Sequence, residues 1–210
     1  MLYRHWGKRI IDRTAAACGL VLLAPLMLVL SWLIRRFLGG PVLFRQPRIG
    51  KDGQVFEIFK FRSMLETRDQ NGQFLPDAER LTSFGRLLRS SSLDELPALL
   101  NVLRGEMSLV GPRPLLIQYR ERYNAVQWRR HEVYPGITGW AQINGRNAIS
   151  WEQKFDFDVW YVDHLCFWLD LRILALTAYK VVQRADINRP GQATVEEFMG
   201  TSATTRFSNT

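Results

Sequence analysis

The residues whose types point most directly to chemistry form one short run, Ser92-Leu93-Asp94-Glu95, followed by the apolar stretch LPALLNVL. Two readings share one geometry. With Ser92 as N-cap and Glu95 three residues on, the run is a capping box in which each side chain satisfies a free backbone N–H at a helix start. The same helix start favours an ionised carboxylate and presents N–H groups to phosphate. An ionised Asp94 beside Mg²⁺ is then a credible nucleophile toward phosphorus. Pro97 falls one turn into such a helix, so an irregular start is expected.

Basic side chains in or beside loops form a second constellation: Lys60 and Arg62 in FKFRSM, Arg89 before the acidic pair, Arg113 in GPRP and Arg146 in NGRN. Arginine's planar fork suits phosphate oxygens, and converging cations offset the charge of a diphosphate. Taken singly, each is an ordinary solvated surface residue; loops fixed by proline and glycine strengthen the case for Arg113 and Arg146. Asp156-Phe157-Asp158 spells the D-x-D triplet of many nucleotide-sugar glycosyltransferases, but it opens an aromatic helix rather than a loop after a strand, so it carries little weight. His131 could serve as a base, although Arg129 and Arg130 beside it read as a solvated basic face. The chain has no P-loop or GxGxxG motif, and its histidines and cysteines lack zinc spacing. Cys18 and Cys166 lie too far apart for a disulfide framework and read as buried free thiols in a reducing compartment.

The elements that must position these residues begin with a membrane segment. From Thr14 to Ile34 the sequence TAAACGLVLLAPLMLVLSWLI carries no charge, and as a helix it is roughly 31 Å long at 1.5 Å per residue, about the thickness of a bilayer's hydrocarbon core. A cleaved signal peptide is disfavoured by the length of the run and by the basic residues that follow it. Lys8, Arg9 and Arg13 precede the run and Arg35 and Arg36 follow it, so positive-inside reasoning places both ends in the cytoplasm. Pro25, after Ala24, lies near the midpoint and cannot donate an N–H. On the residues alone, a kinked span and a re-entrant helix both remain open.

Beyond Gly39-Gly40-Pro41, β-prone runs at Val42–Arg45 and Val55–Arg62 flank a turn-rich segment and predict a hairpin. Helical spacing covers Leu81 to Leu103 with an interruption near Ser90-Ser91-Ser92, then Leu115 to Glu132, and last an aromatic helix from Phe155 to Val182. Trp and Tyr favour the membrane–water boundary, so this helix is either interfacial or a core helix. The tail from Arg189 is expected to lie loosely over the domain. A formal charge of +8 and a pI near 9.9 call for a polyanionic partner: nucleic acid, an anionic membrane or a phosphorylated substrate. Nucleic acid is disfavoured, because the aromatics gather in one late helix instead of interleaving with the basic residues.

These segments resemble the bacterial sugar transferases, the small monotopic phosphoglycosyl transferases. The resemblance rests on KRIIDRTAAACGLVLLAPLMLVL, VLFRQPRIGKDGQVFEIFKFRSM, RSSSLDELPALLNVLRGEMSLVGPRPLL, YPGITGWAQINGRN and FDFDVWYVDHLCFWLDL, in that order. The tail GQATVEEFMG, with NGRNAISW, is similar to the branch that handles N,N'-diacetylbacillosamine. The resemblance implies an α+β, mostly helical protein: a re-entrant helix–break–helix over 1–38, a catalytic domain over 39–188 with interfacial amphipathic helices and a small hairpin, and a tail over 189–210. It places the protein on the cytoplasmic face of the bacterial inner membrane. It implies that Asp94 attacks a UDP-sugar, releasing UMP, and that undecaprenyl phosphate collects the sugar-1-phosphate. Mg²⁺, held at Asp94, is the expected cofactor, and Glu95 ligates metal or assists the second attack. Lys60, Arg62, Arg89, Arg113 and Arg146 are expected at phosphate and nucleotide, with Asp158 a less direct partner. Membrane lipid is a partner, nucleic acid is not, and a homodimer is left open. Relatives often carry serine before the membrane proline where this chain has Ala24. The rival reading is a non-catalytic adaptor whose basic surface docks on anionic lipid.

Overall fold

The computed structural model describes residues 3–145, 149–183 and 197–200. A π-helical turn, Tyr3–Gly7, leads into α1 (Lys8–Phe37), and the hairpin follows as β1 (Leu43–Ile49) and β2 (Val55–Phe61). Next come α2 (Asp77–Arg80), α3 (Ser83–Ser90), a 3-10 turn at Leu93–Glu95, α4 (Ala98–Arg104) and β3 (Ser108–Val110). The remainder holds α5 (Ala125–Trp128), β4 (Gly136–Thr138), α6 (Trp140–Ile143), α7 (Trp151–His164) and α8 (Phe167–Gln183). The architecture is α+β and mostly helical.

Helix α1 is one element of 30 residues, and it runs through Pro25 without a non-helical residue. The expected helix–break–helix is therefore a continuous helix. Proline removes a single donor and crowds the preceding turn, and packing on both sides of Pro25 holds the helix together. Ala16 joins a core with Ala98, Val102, Met107 and Ile58, and Gly19 lets Leu99 approach closely. Farther along, Leu30 and Ile34 pack with Phe61 and Leu88, against Leu93 and Leu96. Between these contacts Val21, Leu22, Leu28 and Val29 are exposed, as are Ala24 and Pro25. The small residues Ala16 and Gly19 thus lie against α4, while bulky apolar side chains point away from the protein. Cys18 and Cys166 are both exposed and free, contrary to their expected burial. In Cys18's case the thiol sits on the apolar outer surface of α1.

The hairpin pairs antiparallel over seven residues a side, from Leu43 opposite Phe61 to Ile49 opposite Val55. Strand β1 extends past the expected Val42–Arg45 run, whereas β2 ends one residue before Arg62, and Pro47 is accommodated because β1 is an edge strand. The two-residue parallel pairing of β3 with β4 carries no alternation signal in the sequence. It brings Gly111 against Gly136: a Cβ on Gly111 would stand 2.3 Å from the Tyr134 carbonyl oxygen, and one on Gly136 2.1 Å from the Gly111 nitrogen. Only glycine fits at such a backbone approach.

Two expected helices change form. Leu115–Glu132 is a succession of 3-10 turns around α5, restarted by a capping box of Asn124 and Gln127. The aromatic helix is two helices, α7 and α8, separated at Leu165-Cys166. Its aromatics divide: Phe155 and Tyr161 are core, whereas Trp160, Phe167, Trp168 and Tyr179 are exposed. Of the tail expected to lie loosely from Arg189, only residues 197–200 are described. Phe198 is buried among Tyr119, Phe155, Tyr123 and Trp151, and Glu197 pairs with Arg122 at 2.7 Å.

Candidate active site

The acidic pair does not cap a helix. Ser92 has φ +56° and ψ +15° and makes no side-chain capping bond, so the capping-box reading fails. Left-handed backbone costs a non-glycine residue about 1–2 kcal/mol, and here it reverses the chain between α3 and the 3-10 turn. Leu93 and Leu96 bury one side of that turn against the α1 cluster, which leaves Asp94 and Glu95 to face the hairpin and the GPRP loop. Helix α4 begins only after Pro97, so the anion-favouring field expected from a long helix start is absent. Side-chain cations take its place.

Glu95 is held by two of them. Lys60 Nζ donates to Glu95 Oε1 at 2.6 Å and Arg113 Nη2 donates to the same oxygen at 2.7 Å. Burial pushes the Glu95 pKa up, but Arg113 and Lys60 outweigh it and hold the carboxyl well below the usual range. Lys60 is delivered by β2, on the same face as the core residue Ile58, and burial pulls its pKa down against the opposing pull of Glu95. Asp94, only 9% exposed, differs. No hydrogen bond to its carboxylate is found among the described residues. Burial, then the neighbouring Glu95 charge, raise its pKa, and Lys60, Arg113 and Arg89 offset this only in part. Arg89, at the end of α3, donates through Nε to Ser63 Oγ at 2.9 Å. Asp94 is thus a largely buried carboxylate with no hydrogen bond among the described residues, within the field of three cations.

The remaining expected site residues distribute unevenly. Arg62 lies away from the cluster, with Nη1 on the Leu38 carbonyl at 3.4 Å and Nη2 near Glu66 at 3.4 Å, so it secures the end of α1. Asp158 is engaged within the fold. It is buried on α7 and receives Arg130 through Nε at 3.0 Å and Nη2 at 2.8 Å. Arg130 Nη2 also donates to the Arg113 carbonyl at 2.7 Å, so the pair positions the GPRP loop. Asp156, its partner in the triplet, is exposed on the same helix. Arg146 lies outside the described residues. His131 is buried rather than solvated, its Nδ1 3.2 Å from the Gly50 carbonyl. Burial and Arg130 lower its pKa to about 3, so it is neutral and no general base near pH 7.

Two residues escaped the sequence reading. Arg130 looked like surface beside Arg129, yet it is 2% exposed; no periodicity marks it, because the segment is a chain of 3-10 turns. Arg48, on β1, lines a cavity of about 60 Å³ with Lys60, Glu95, Arg113 and Pro114. Its Nη1 reaches the Pro114 carbonyl at 3.4 Å, and its buried Nε finds no hydrogen-bond partner among the described residues. Burial, reinforced by Arg113, lowers its pKa to about 10. Its strand position predicted it only weakly: Arg45 and Arg48 look alike in a hairpin whose outer face is polar.

Among the described residues no group of three His, Cys, Asp or Glu side chains is arranged to hold a metal. Magnesium, however, is commonly bound through one or two carboxylates completed by substrate phosphates and water. Asp94, with no hydrogen bond among the described residues, fits that donor set once a diphosphate offsets the nearby cations. It does not fit a metal caged by protein alone.

The chain matches the model of the family described as bacterial sugar transferase over residues 3–184. It is 54% identical to the uncharacterized sugar transferase EpsL of Bacillus subtilis, over 92% of this chain and 96% of that protein. It is 41% identical to the UDP-glucose:undecaprenyl-phosphate glucose-1-phosphate transferase of Klebsiella pneumoniae, over 82% of this chain and 39% of that protein. A UDP-N-acetylgalactosamine-undecaprenyl-phosphate N-acetylgalactosaminephosphotransferase of Aeromonas hydrophila is 40% identical over 81% of this chain and 42% of its own length. The chain therefore spans nearly all of the first relative and about two-fifths of the other two. A match over almost the whole chain, with the acidic pair and its cations gathered at one cavity, leads to a single assignment: the chain belongs to the bacterial sugar transferase family.

Proposed function

We propose that the protein transfers a sugar-1-phosphate from a UDP-sugar to undecaprenyl phosphate and releases UMP. The observation that carries this reading is the contrast within the acidic pair: Glu95 is saturated by Lys60 and Arg113, while Asp94 is buried beside it with no hydrogen bond among the described residues. A carboxylate kept short of solvent and donors is a stronger nucleophile than a hydrated one. Asp94 Oδ attacks the β-phosphorus of the donor; the bond from that phosphorus to the bridging oxygen breaks, and UMP departs with the electron pair. The phosphosugar is left as an acyl phosphate on Asp94. An oxygen of undecaprenyl phosphate then attacks the same phosphorus and expels the Asp94 carboxylate, restoring the enzyme. Lys60, Arg89, Arg113 and Arg48 meet the phosphate charge, and Arg130 with Asp158 fixes the carbonyl side of Arg113. Magnesium, with Asp94 as its protein contact, supplies charge neutralisation at the diphosphate when bound.

The similar proteins named above act on UDP-glucose and UDP-N-acetylgalactosamine, so a UDP-hexose donor is in keeping with them. Within that class we favour an N-acetylated sugar such as UDP-N,N'-diacetylbacillosamine. The support is the tail: Phe198 packs on Trp151, just after the NGRNAIS segment through which the sequence resembles that branch.

The arrangement of α1 supports a re-entrant, cytoplasm-facing topology. Both flanks of Pro25 pack on the same body, through Ala16 on one side and Leu30 and Ile34 on the other, while the apolar residues between them project outward. A domain held to both flanks is hard to reconcile with ends on opposite sides of a bilayer.

Release of UMP across a panel of UDP-sugars with undecaprenyl phosphate tests the reaction. Incubation with donor alone should add one phosphosugar mass to the peptide containing Asp94. If rapid quench never traps that adduct and Asp94→Asn still turns over, the acceptor attacks directly and Asp94 holds metal. Excess chelator should abolish UMP release; undiminished turnover would assign the diphosphate to the cations alone.

A further inference from the structure

A second cavity, about 150 Å³, lies beyond the wall formed by Met107 and away from Asp94. Arg4, Arg9 and Arg13 of the first turns and Lys51 of the hairpin turn line it. Two carboxylates also line it, and both are already engaged: Asp12 accepts from Ser108 Oγ at 2.6 Å and lies 3.6 Å from Lys8 Nζ, itself a lining residue, and Glu132 pairs with Arg129 at 3.1 Å, while Lys51 lies 3.5 Å from Asp52. Arg9 and Arg13 have no ion-pair partner among the described residues. Tyr134 gathers cations further, with the Arg9 guanidinium 5.1 Å and the Lys51 ammonium 5.3 Å from its ring centre. The Arg13 guanidinium lies over Gly105, where a Cβ would stand only 2.1 Å away. Like charges collected round one cavity repel unless an anion joins them.

The position of the cavity says which anion. Arg9 and Arg13 are four residues apart, on one face of α1, and the uncharged run begins at Thr14. Trp6 and Trp168 are 70% and 72% exposed, as expected of indoles at a membrane–water boundary. Met107, Val133 and Leu165 give the cavity apolar walls. A soluble phosphate would gain nothing from such walls. We propose that this cavity binds the phosphate headgroup of an anionic glycerophospholipid, the Arg9 and Arg13 forks taking the phosphate oxygens and the glycerol end leaving toward the bilayer. The site is separate from the transfer chemistry and does not rest on it.

The test uses full-length protein in nanodiscs of mixed phosphatidylglycerol and phosphatidylcholine, with the lipids retained after gentle extraction read by native mass spectrometry. Wild-type protein should retain phosphatidylglycerol in preference to phosphatidylcholine. The double substitution Arg9→Gln with Arg13→Gln should lower that preference about thirty-fold, from about 1 kcal/mol per cation near an anionic surface and tenfold per 1.4 kcal/mol. Lys51→Gln, on the hairpin and outside α1, should lower it about five-fold and gives an independent reading should the double substitution disturb the helix. Arg35→Gln with Arg36→Gln, at the other end of the apolar run, should leave it within about two-fold. An equal loss in that control would mean diffuse attraction rather than a site, and absence of any preference in the wild type would remove the proposal. Displacement of the retained lipid by inorganic phosphate would reassign the cavity to a soluble anion.

Discussion

Two clusters of buried charge can be set side by side. At the base of α1, Lys8 lies 2.5 Å from Asp170, which also accepts from the Tyr3 hydroxyl and, at 2.7 Å, from Tyr161; Asp12 accepts from Ser108. Each carboxylate there has its donors. At the other cluster Glu95 is equally well served, but among the described residues no hydrogen bond reaches the Asp94 carboxylate, and the buried Arg48 Nε has no partner. Buried polar groups are normally paired, since leaving one unpaired costs about 1–3 kcal/mol. The first cluster is what a protein builds to hold a helix in place. The second keeps a buried Arg48 Nε without a partner and an Asp94 carboxylate without a hydrogen bond among the described residues, groups that a bound phosphate and a reacting phosphorus would engage under the proposed function.

Substitutions at the two clusters should therefore fail in opposite ways. Asp94→Asn should reduce UMP release by about 10⁴-fold or more, as loss of a nucleophile does, without lowering the thermal midpoint. The sign of its stability effect follows from linkage: the folded-state pKa of Asp94 is raised, so the ionised carboxylate opposes folding at neutral pH, and that penalty vanishes below the ordinary value of 3.8. Asn should thus be neutral or stabilising at pH 7, with the gain fading on acidification; a marked loss of stability would place Asp94 among the structural carboxylates. Asp170→Asn should do the reverse, costing about 3 kcal/mol because it removes the nearer partner of buried Lys8 and leaves only Asp12 at 3.6 Å, measured by denaturant unfolding in detergent, while folded enzyme keeps its turnover.

Smaller effects sharpen the same contrast. Arg48→Lys keeps the charge and removes the fork; donor KM should rise about tenfold, the scale of one charged hydrogen bond, with kcat changed less. The pH profile of kcat/KM should have an acid limb above the ordinary aspartate value, and Glu95→Gln should move that limb to lower pH by removing the neighbouring negative charge. A limb that stays put would assign the titration to another group. The slightest change concerns backbone: Ser92→Gly should stabilise by about 1 kcal/mol, since glycine adopts a positive φ without strain, whereas a capping serine would have lost stability.

Much of this was legible in the sequence. The apolar run, the hairpin around Lys51-Asp52-Gly53 and the interruption at Ser90-Ser91-Ser92 follow from local pattern, and Lys60 of β2, Arg89 of α3 and Arg113 of the GPRP loop gather around Glu95 and Asp94. What could not be read depends on long-range approach. Arg62 sits two residues from Lys60 yet points to Leu38, because it lies beyond the last strand residue, where alternation no longer orders side chains. Arg130 and His131 are buried by a fold of successive 3-10 turns that has no apolar period. Asp158 belongs to a triplet with a familiar look, but on a helix its neighbour two positions away faces elsewhere, and only the tertiary meeting with Arg130 gives it work.

The contact of α1 with α4 has a practical consequence for anyone preparing the protein. Ala16 and Gly19 cover Ala98, Val102 and Leu99, and Leu30 and Ile34 cover Phe61 and Leu88. Trimming away the first 38 residues in search of a water-soluble fragment would strip one wall from two apolar cores and from the turn that carries Asp94. Such a fragment should precipitate or bind chaperones on expression. Purification schemes are better built around detergent, polymer belts or nanodiscs that leave the N-terminal helix in place.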